Sequence, residues 1–125
     1  MYRIIIIALI FCLLIYYFKQ QKIEITYFYS EGCELVKETN LIVDKIEHEF
    51  KDRVIVKKIN AFSPKDDEER KIVEKFNVKG VPTILINGRE YHDPFNYTEM
   101  EKNICKQFLI KPKTCQKIYL TNNKI

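Results

Sequence analysis

Four cysteines stand at Cys12, Cys33, Cys105 and Cys115, and the surroundings of Cys33 are those that make a thiol reactive. An apolar run from Ile23 to Tyr29 stops at Ser30-Glu31-Gly32. Cys33 follows, and then Leu35, Val36, Ile42, Val43, Ile46 and Phe50 recur at helical spacing. Cys33 therefore falls where a strand ends and a helix begins. The unpaired N–H groups and the dipole of a helix start favour negative charge, so a thiol placed there is drawn towards the thiolate, its nucleophilic form. Glu31 and Glu34 flank it and act in the opposite sense. The competing reading is a small, buried side chain that merely fills a helix start. Cys105 and Cys115 are separated by Lys111-Pro112-Lys113. A disulfide between them closes a loop of about ten residues around a proline turn and would contribute about 2–3 kcal/mol by the chain-entropy model. The alternative there is two unrelated thiols. Cys12 lies inside an apolar segment and is expected to face lipid or a neighbouring helix without chemical work.

No cysteine or histidine pair has metal-ligand spacing, and His48 and His92 lie far from any Cys-x-x-Cys. The acidic run Asp66 to Glu69 follows Ser63-Pro64, which reads as an N-cap and first helical position, so those carboxylates complement a helix dipole rather than gather a metal. The sequence asks for no metal and no other cofactor.

The elements that must position Cys33 follow from pattern and turn chemistry. Ile23–Tyr29 is apolar almost throughout and suits a strand buried on both faces. A helix over about Cys33 to Phe50 leads to a second strand, Val54 to Ile59, parallel to the first because a whole helix separates them. A second helix ends near Asn77. Pro82 opens a third strand, Thr83 to Ile86, and Asn87-Gly88 turns it into a fourth, Glu90 to His92. A last helix runs from Tyr97 or Thr98 to about Leu109, with Thr98 and Glu101 as a capping box and Met100, Ile104 and Phe108 as its core stripe.

The 125-residue chain is 46% hydrophobic and 30% charged, which suits one ordered domain rather than a disordered chain. Its formal net charge of +4 is spread along the sequence without a basic stripe, which argues against nucleic-acid binding. Tyr2 to Phe18 is a nearly unbroken apolar run. As a helix Ile4 to Phe18 spans about 22 Å, and Arg3, Lys19, Tyr16 and Tyr17 can extend it to both interfaces of a bilayer. A cleaved signal peptide is the rival, but no small residues follow the run, which favours an uncleaved anchor. Two signals bear on topology. Lys19 and Lys22 against Arg3 lean weakly towards a cytoplasmic domain, whereas a structural disulfide needs an oxidising compartment. The cysteine pair favours a single-pass membrane protein with an extracytoplasmic soluble domain.

Two stretches together carry a family resemblance. The strand–turn–cysteine–helix at Cys33 and the Gly80-Val81-Pro82-Thr83 entry to a strand and Asn-Gly hairpin resemble the thioredoxin-like superfamily over roughly Ile23 to Leu109. The resemblance implies an α/β fold: a central mixed four-stranded sheet flanked by helices, here preceded by an N-terminal hydrophobic helix. It implies a cis Val81–Pro82 bond, and it implies that Val81, Pro82 and Thr83 bind substrate, with the backbone of Val81 pairing with an extended chain. With the apolar run and the polar ends, the chain divides into an anchor or uncleaved signal over 1–19, a linker over 20–22, a thioredoxin-like domain over 23–115 as the resemblance implies, and a flexible tail over 116–125. The motif departs from the family's Cys-x-x-Cys: the sequence is Cys33-Glu34-Leu35-Val36, and Tyr27 stands where many members carry a buried acid. A valine cannot attack a mixed disulfide, so the two-cysteine cycle cannot close here. The expectation is thiol–disulfide exchange through Cys33 alone with protein thiols or disulfides as partners. The alternative is a non-catalytic module that docks an extended peptide or membrane partner.

Overall fold

In the computed structural model, which describes residues 1–93 and 95–122, strand β1 (Ile23–Tyr29) is flanked on both sides. Its residues are buried at five of seven positions because helices cover both of its faces. β2 (Val54–Asn60) pairs with it in parallel, from Ile23↔Val54 to Tyr29↔Asn60. β3 (Thr83–Ile86) pairs on the other side in antiparallel register, Ile25↔Ile86 to Phe28↔Thr83, and β4 (Arg89–Glu90) extends it, giving the order β2-β1-β3-β4. The parallel crossover is α2 (Glu34–Phe50).

Two apolar clusters follow from the alternation of side chains along the strands. Ile23, Ile25, Tyr27, Ile84 and Ile86 point to the face where Val43, Ile46 and Phe50 of α2 meet Met100, Ile104 and Phe108, supplied by α4 (Tyr97–Gln107) and the residues just after it. Phe28, Ile59 and Leu85 point to the other face, under Ile72 and Val73 of α3 (Asp67–Lys75). The hairpin turn places Asn87 at φ 50° and Gly88 at φ 76°, the left-handed pair that an Asn-Gly turn supplies.

Four boundaries differ from the sequence expectation. α3 begins at Asp67 and is capped by Asp66 rather than Ser63: the Asp66 carboxylate accepts from Glu69 N at 2.8 Å, and the Glu69 carboxylate accepts from Lys65 N at 2.9 Å. This reciprocal pair satisfies two N–H donors at once, which one serine hydroxyl cannot match. α4 is capped by Asn96, which accepts from Glu99 N at 2.9 Å, so the Thr98–Glu101 capping box does not form. β4 covers Arg89–Glu90 rather than Glu90–His92, because Tyr91 turns inwards to become buried beside Phe95. Finally, the stretch expected to be a flexible tail is helical as far as Asn122: α5 (Lys113–Asn122) is pinned at Cys115, and Ile118 packs on the core. Residues 123–125 lie outside the described residues.

α1 (Tyr2–Lys19) has no buried residue and a mean hydropathy of 2.0 over 18 residues; it is long and apolar enough to cross a membrane.

Candidate functional site

Cys33 is the N-cap residue of α2, with extended backbone (φ −88°, ψ 126°), and its side chain caps no N–H of the helix. Gly32 before it adopts φ 82°, a conformation that costs a side-chain-bearing residue about 1–2 kcal/mol and that glycine takes freely. The space around Gly32 is open, so the requirement there is one of backbone geometry alone. The thiol is half-buried and unbridged.

The sheet register decides what stands beside it. Phe28 faces Thr83, so the next pair along the same ladder brings Pro82 level with Tyr29, four residues short of Cys33. The Val81–Pro82 peptide bond is cis. Thr83 Oγ1 donates to Gly80 O at 2.7 Å and closes the loop around the proline. Val81 is half-buried against the Phe28 cluster. β2 ends at the same edge, where Ala61 N donates to Tyr29 O at 2.9 Å. Three loops therefore leave one end of the sheet together: those that carry Cys33, Val81-Pro82-Thr83 and Phe62.

Two large apolar side chains at this end lie open to solvent, Leu35 at 49% and Phe62 at 70% exposure. The sequence reading did not single out Phe62. The signal that could have found it is an aromatic residue in a polar turn with no helical or strand-period partner.

Tyr27, wholly buried, is near enough to the thiol to feel its charge. Its hydroxyl donates to Val36 O at 3.3 Å. Burial pushes the phenol up to about 12, and the charges of Asp44, Cys33 and Tyr29 push in the same direction. At neutral pH it therefore stays protonated and acts as a donor. Among the described residues, the two positions one would examine for a second thiol and a proton-accepting acid thus hold Val36 and Tyr27, and they are joined to each other.

Cys105 and Cys115 are placed elsewhere. They form a disulfide with Cα atoms 5.6 Å apart, and both residues are buried. Thr114 Oγ1 donates to Glu49 O at 3.4 Å, which sets this bridge beside the last turn of α2. Sixteen residues of helix separate Glu49 from Cys33, about 24 Å at 1.5 Å per residue. The disulfide is therefore remote from the free thiol. Cys12 is exposed on α1. His48 and His92 are exposed as well.

Comparison with known proteins adds one family and several relatives. A family model described as Thioredoxin matches residues 10–106. Thioredoxin-T of Drosophila melanogaster is 33% identical over 70 residues, which is 55% of this chain and 41% of that protein; the chain thus spans about two-fifths of the length of this curated relative. Among solved structures, the germline-specific thioredoxin Deadhead of Drosophila melanogaster is similar at TM-score 0.54 and 18% identity, covering 78% of this chain and 90% of that one. Mitochondrial thioredoxin 3 of Saccharomyces cerevisiae is similar at TM-score 0.50 and 23% identity, covering 70% and 80% respectively. At these identities the structural likenesses speak to the fold alone.

Proposed function

The chain belongs to the thioredoxin family, and from that premise we propose that it carries out thiol–disulfide exchange through the single sulfur of Cys33. The Cys33 thiolate attacks one sulfur of a disulfide in a partner protein. A Cys33–partner disulfide forms, the partner's old S–S bond breaks, and the electron pair leaves on the partner's other sulfur as a thiolate. An external thiolate, from a second protein or a small molecule, then attacks the partner's sulfur in this mixed disulfide; a new disulfide forms between that thiol and the partner, the Cys33–partner bond breaks, and Cys33 leaves as thiolate. Val81, Pro82 and Thr83 hold the partner chain in extended form beside the sulfur, through main-chain groups at the edge of β3. The observation that carries this reading is the shared sheet end: a half-buried thiol at a helix N-cap and the proline loop leave the same end of the sheet, where Leu35 and Phe62 are exposed.

The same proposal assigns α1 as a single-pass anchor and the domain to the extracytoplasmic side, where the Cys105–Cys115 bridge would persist. A second reading is favoured by Val36: without a second motif cysteine the protein captures chains and does not turn them over. The experiment is adduct trapping. The full-length protein is mixed with a disulfide-bearing unfolded protein, quenched with an alkylating agent and resolved without reductant. Wild type gives an adduct that added glutathione releases, and Cys33→Ser gives none. Partner capture that survives Cys33→Ser refutes the exchange reading and leaves the docking module.

A further inference from the structure

The sheet end opposite Cys33 carries features that thiol chemistry does not use. One side chain fixes the connector between α1 and β1 to the domain. Gln21 Nε2 donates to Gln107 O at 3.0 Å, Gln21 Oε1 accepts from Leu109 N at 3.1 Å, and Arg53 Nε donates to Gln21 O at 3.0 Å. A groove of about 380 Å³ opens at this junction, lined by Tyr17, Phe18, Gln20, Gln21, Lys22 and Leu109. Leu109 is 69% exposed. Basic residues gather around it. Lys19 ends α1, Lys22 belongs to the connector and Lys51 to the turn that meets it, while the Arg53 guanidinium lies inward over the Phe108 ring at 5.1 Å. Lys111 sits on Cys105 O and Phe108 O at 2.6 and 3.0 Å, and Lys113 adjoins the Thr114 contact with Glu49. Glu24, Glu49 and Asp52 offset them only in part.

We infer that this end of the domain is a membrane-docking face whose occupant is the anionic, phosphate-bearing headgroup layer of the bilayer that α1 enters. The inference rests on reading α1 as a membrane span. Only residues 20–22 separate α1 from β1, and three extended residues reach at most about 10 Å, so this face cannot stand far from the lipid surface. Its lysines complement phosphate-bearing anionic headgroups of the leaflet that the domain faces, and Leu109 beside Tyr17 supplies the apolar and amphipathic groups that settle at an interface. The Gln21 bonds keep the domain from swinging on its tether. β1 has seven residues at about 3.3 Å each, which carries the Cys33 end about 23 Å further from the bilayer. Partners of Cys33 then arrive from the water rather than from within the membrane.

The chain has no tryptophan, so single indoles report position cleanly. Leu14→Trp, Leu109→Trp and Leu35→Trp all fall at exposed sites, and circular dichroism checks that each variant keeps the wild-type fold. Each full-length variant is reconstituted in vesicles with bromines placed on the acyl chains near the glycerol, carried either by phosphatidylglycerol or by phosphatidylcholine. The indole at 14 is quenched in both. The indole at 109 loses about half of its emission with brominated phosphatidylglycerol and far less with phosphatidylcholine, and the indole at 35 is unchanged. An unquenched indole at 14 overturns the span and the docking face together. Quenching at 14 without quenching at 109 overturns the docking face alone. Equal quenching at 109 by both lipids overturns the anionic occupant.

Discussion

The two ends of α2 hold the same element in opposite states. At its N-terminus a sulfur is half-exposed and unbridged, in an N-cap position that follows a glycine at φ 82°. At its C-terminus two sulfurs are bonded, buried and surrounded by Phe108 and Ile104. Phe108 itself stacks on Phe50 at 6.4 Å. On the proposed exchange at Cys33, position in the fold, and not residue type, divides chemistry from architecture. The first sulfur sits where chain ends converge and water enters. The second pair sits where two helices must be kept together.

If the division is sound, each end can be damaged without the other. The largest effect is expected at the bridged end. Cys105→Ala with Cys115→Ala should lower unfolding free energy by about 2–3 kcal/mol in denaturant titrations. Adduct formation at Cys33 should persist below the lowered melting temperature. Loss of adducts in a variant still folded would break the comparison. At the thiol end, Tyr27→Phe removes the donor to Val36 O and should cost about 0.5–1.5 kcal/mol. Because Tyr27 and Cys33 interact electrostatically and Tyr27 bonds the first turn of α2, it should also change the Cys33 alkylation rate, which the double alanine variant leaves alone. Equal alkylation rates in Tyr27→Phe and wild type would show that the phenol serves packing only.

The smallest effect belongs to the α2–α4 junction between the two ends. Burial holds the Glu101 carboxyl above the ordinary carboxylate range; its hydrogen bond with Tyr97 opposes the shift, the charge of Glu49 adds to it and Lys45 opposes it. The folded state therefore keeps this proton to higher pH than the unfolded chain does. Between the unfolded and folded values the native state binds more protons, so stability falls as pH rises through that window. Glu101→Gln removes the penalty. Melting temperature should rise by a few degrees at most at pH 7, and the gain should vanish below about pH 4, the unfolded carboxylate range. A gain that stays constant across pH would place its origin in packing.

Much of the fold was legible because its signals are local. β1 and β3 have the bounds that their apolar runs mark, and Asn87-Gly88 makes the turn that its left-handed preference dictates. The helix cap at Asn96 was not legible: Asn96 and Thr98 both suit an N-cap, and their preferences differ by a few tenths of a kcal/mol, so packing of the preceding loop chooses. α5 was missed for a related reason. A polar segment of ten residues is a marginal helix alone, and only the Cys115 bridge and Ile118 packing against α4 make it hold.

The sequence by itself determined the family, the strand and helix order, the apolar N-terminal helix and the placing of Cys33 at a helix start, since each follows from spacing within a few turns of chain. Tertiary structure decided which groups meet across long separations. It set Pro82 level with Tyr29, joined Tyr27 to Val36 in place of a second thiol and an acid, and tied Gln21 to Gln107 and Leu109. Those contacts depend on register and on which faces are buried together, and no local pattern of residues encodes them.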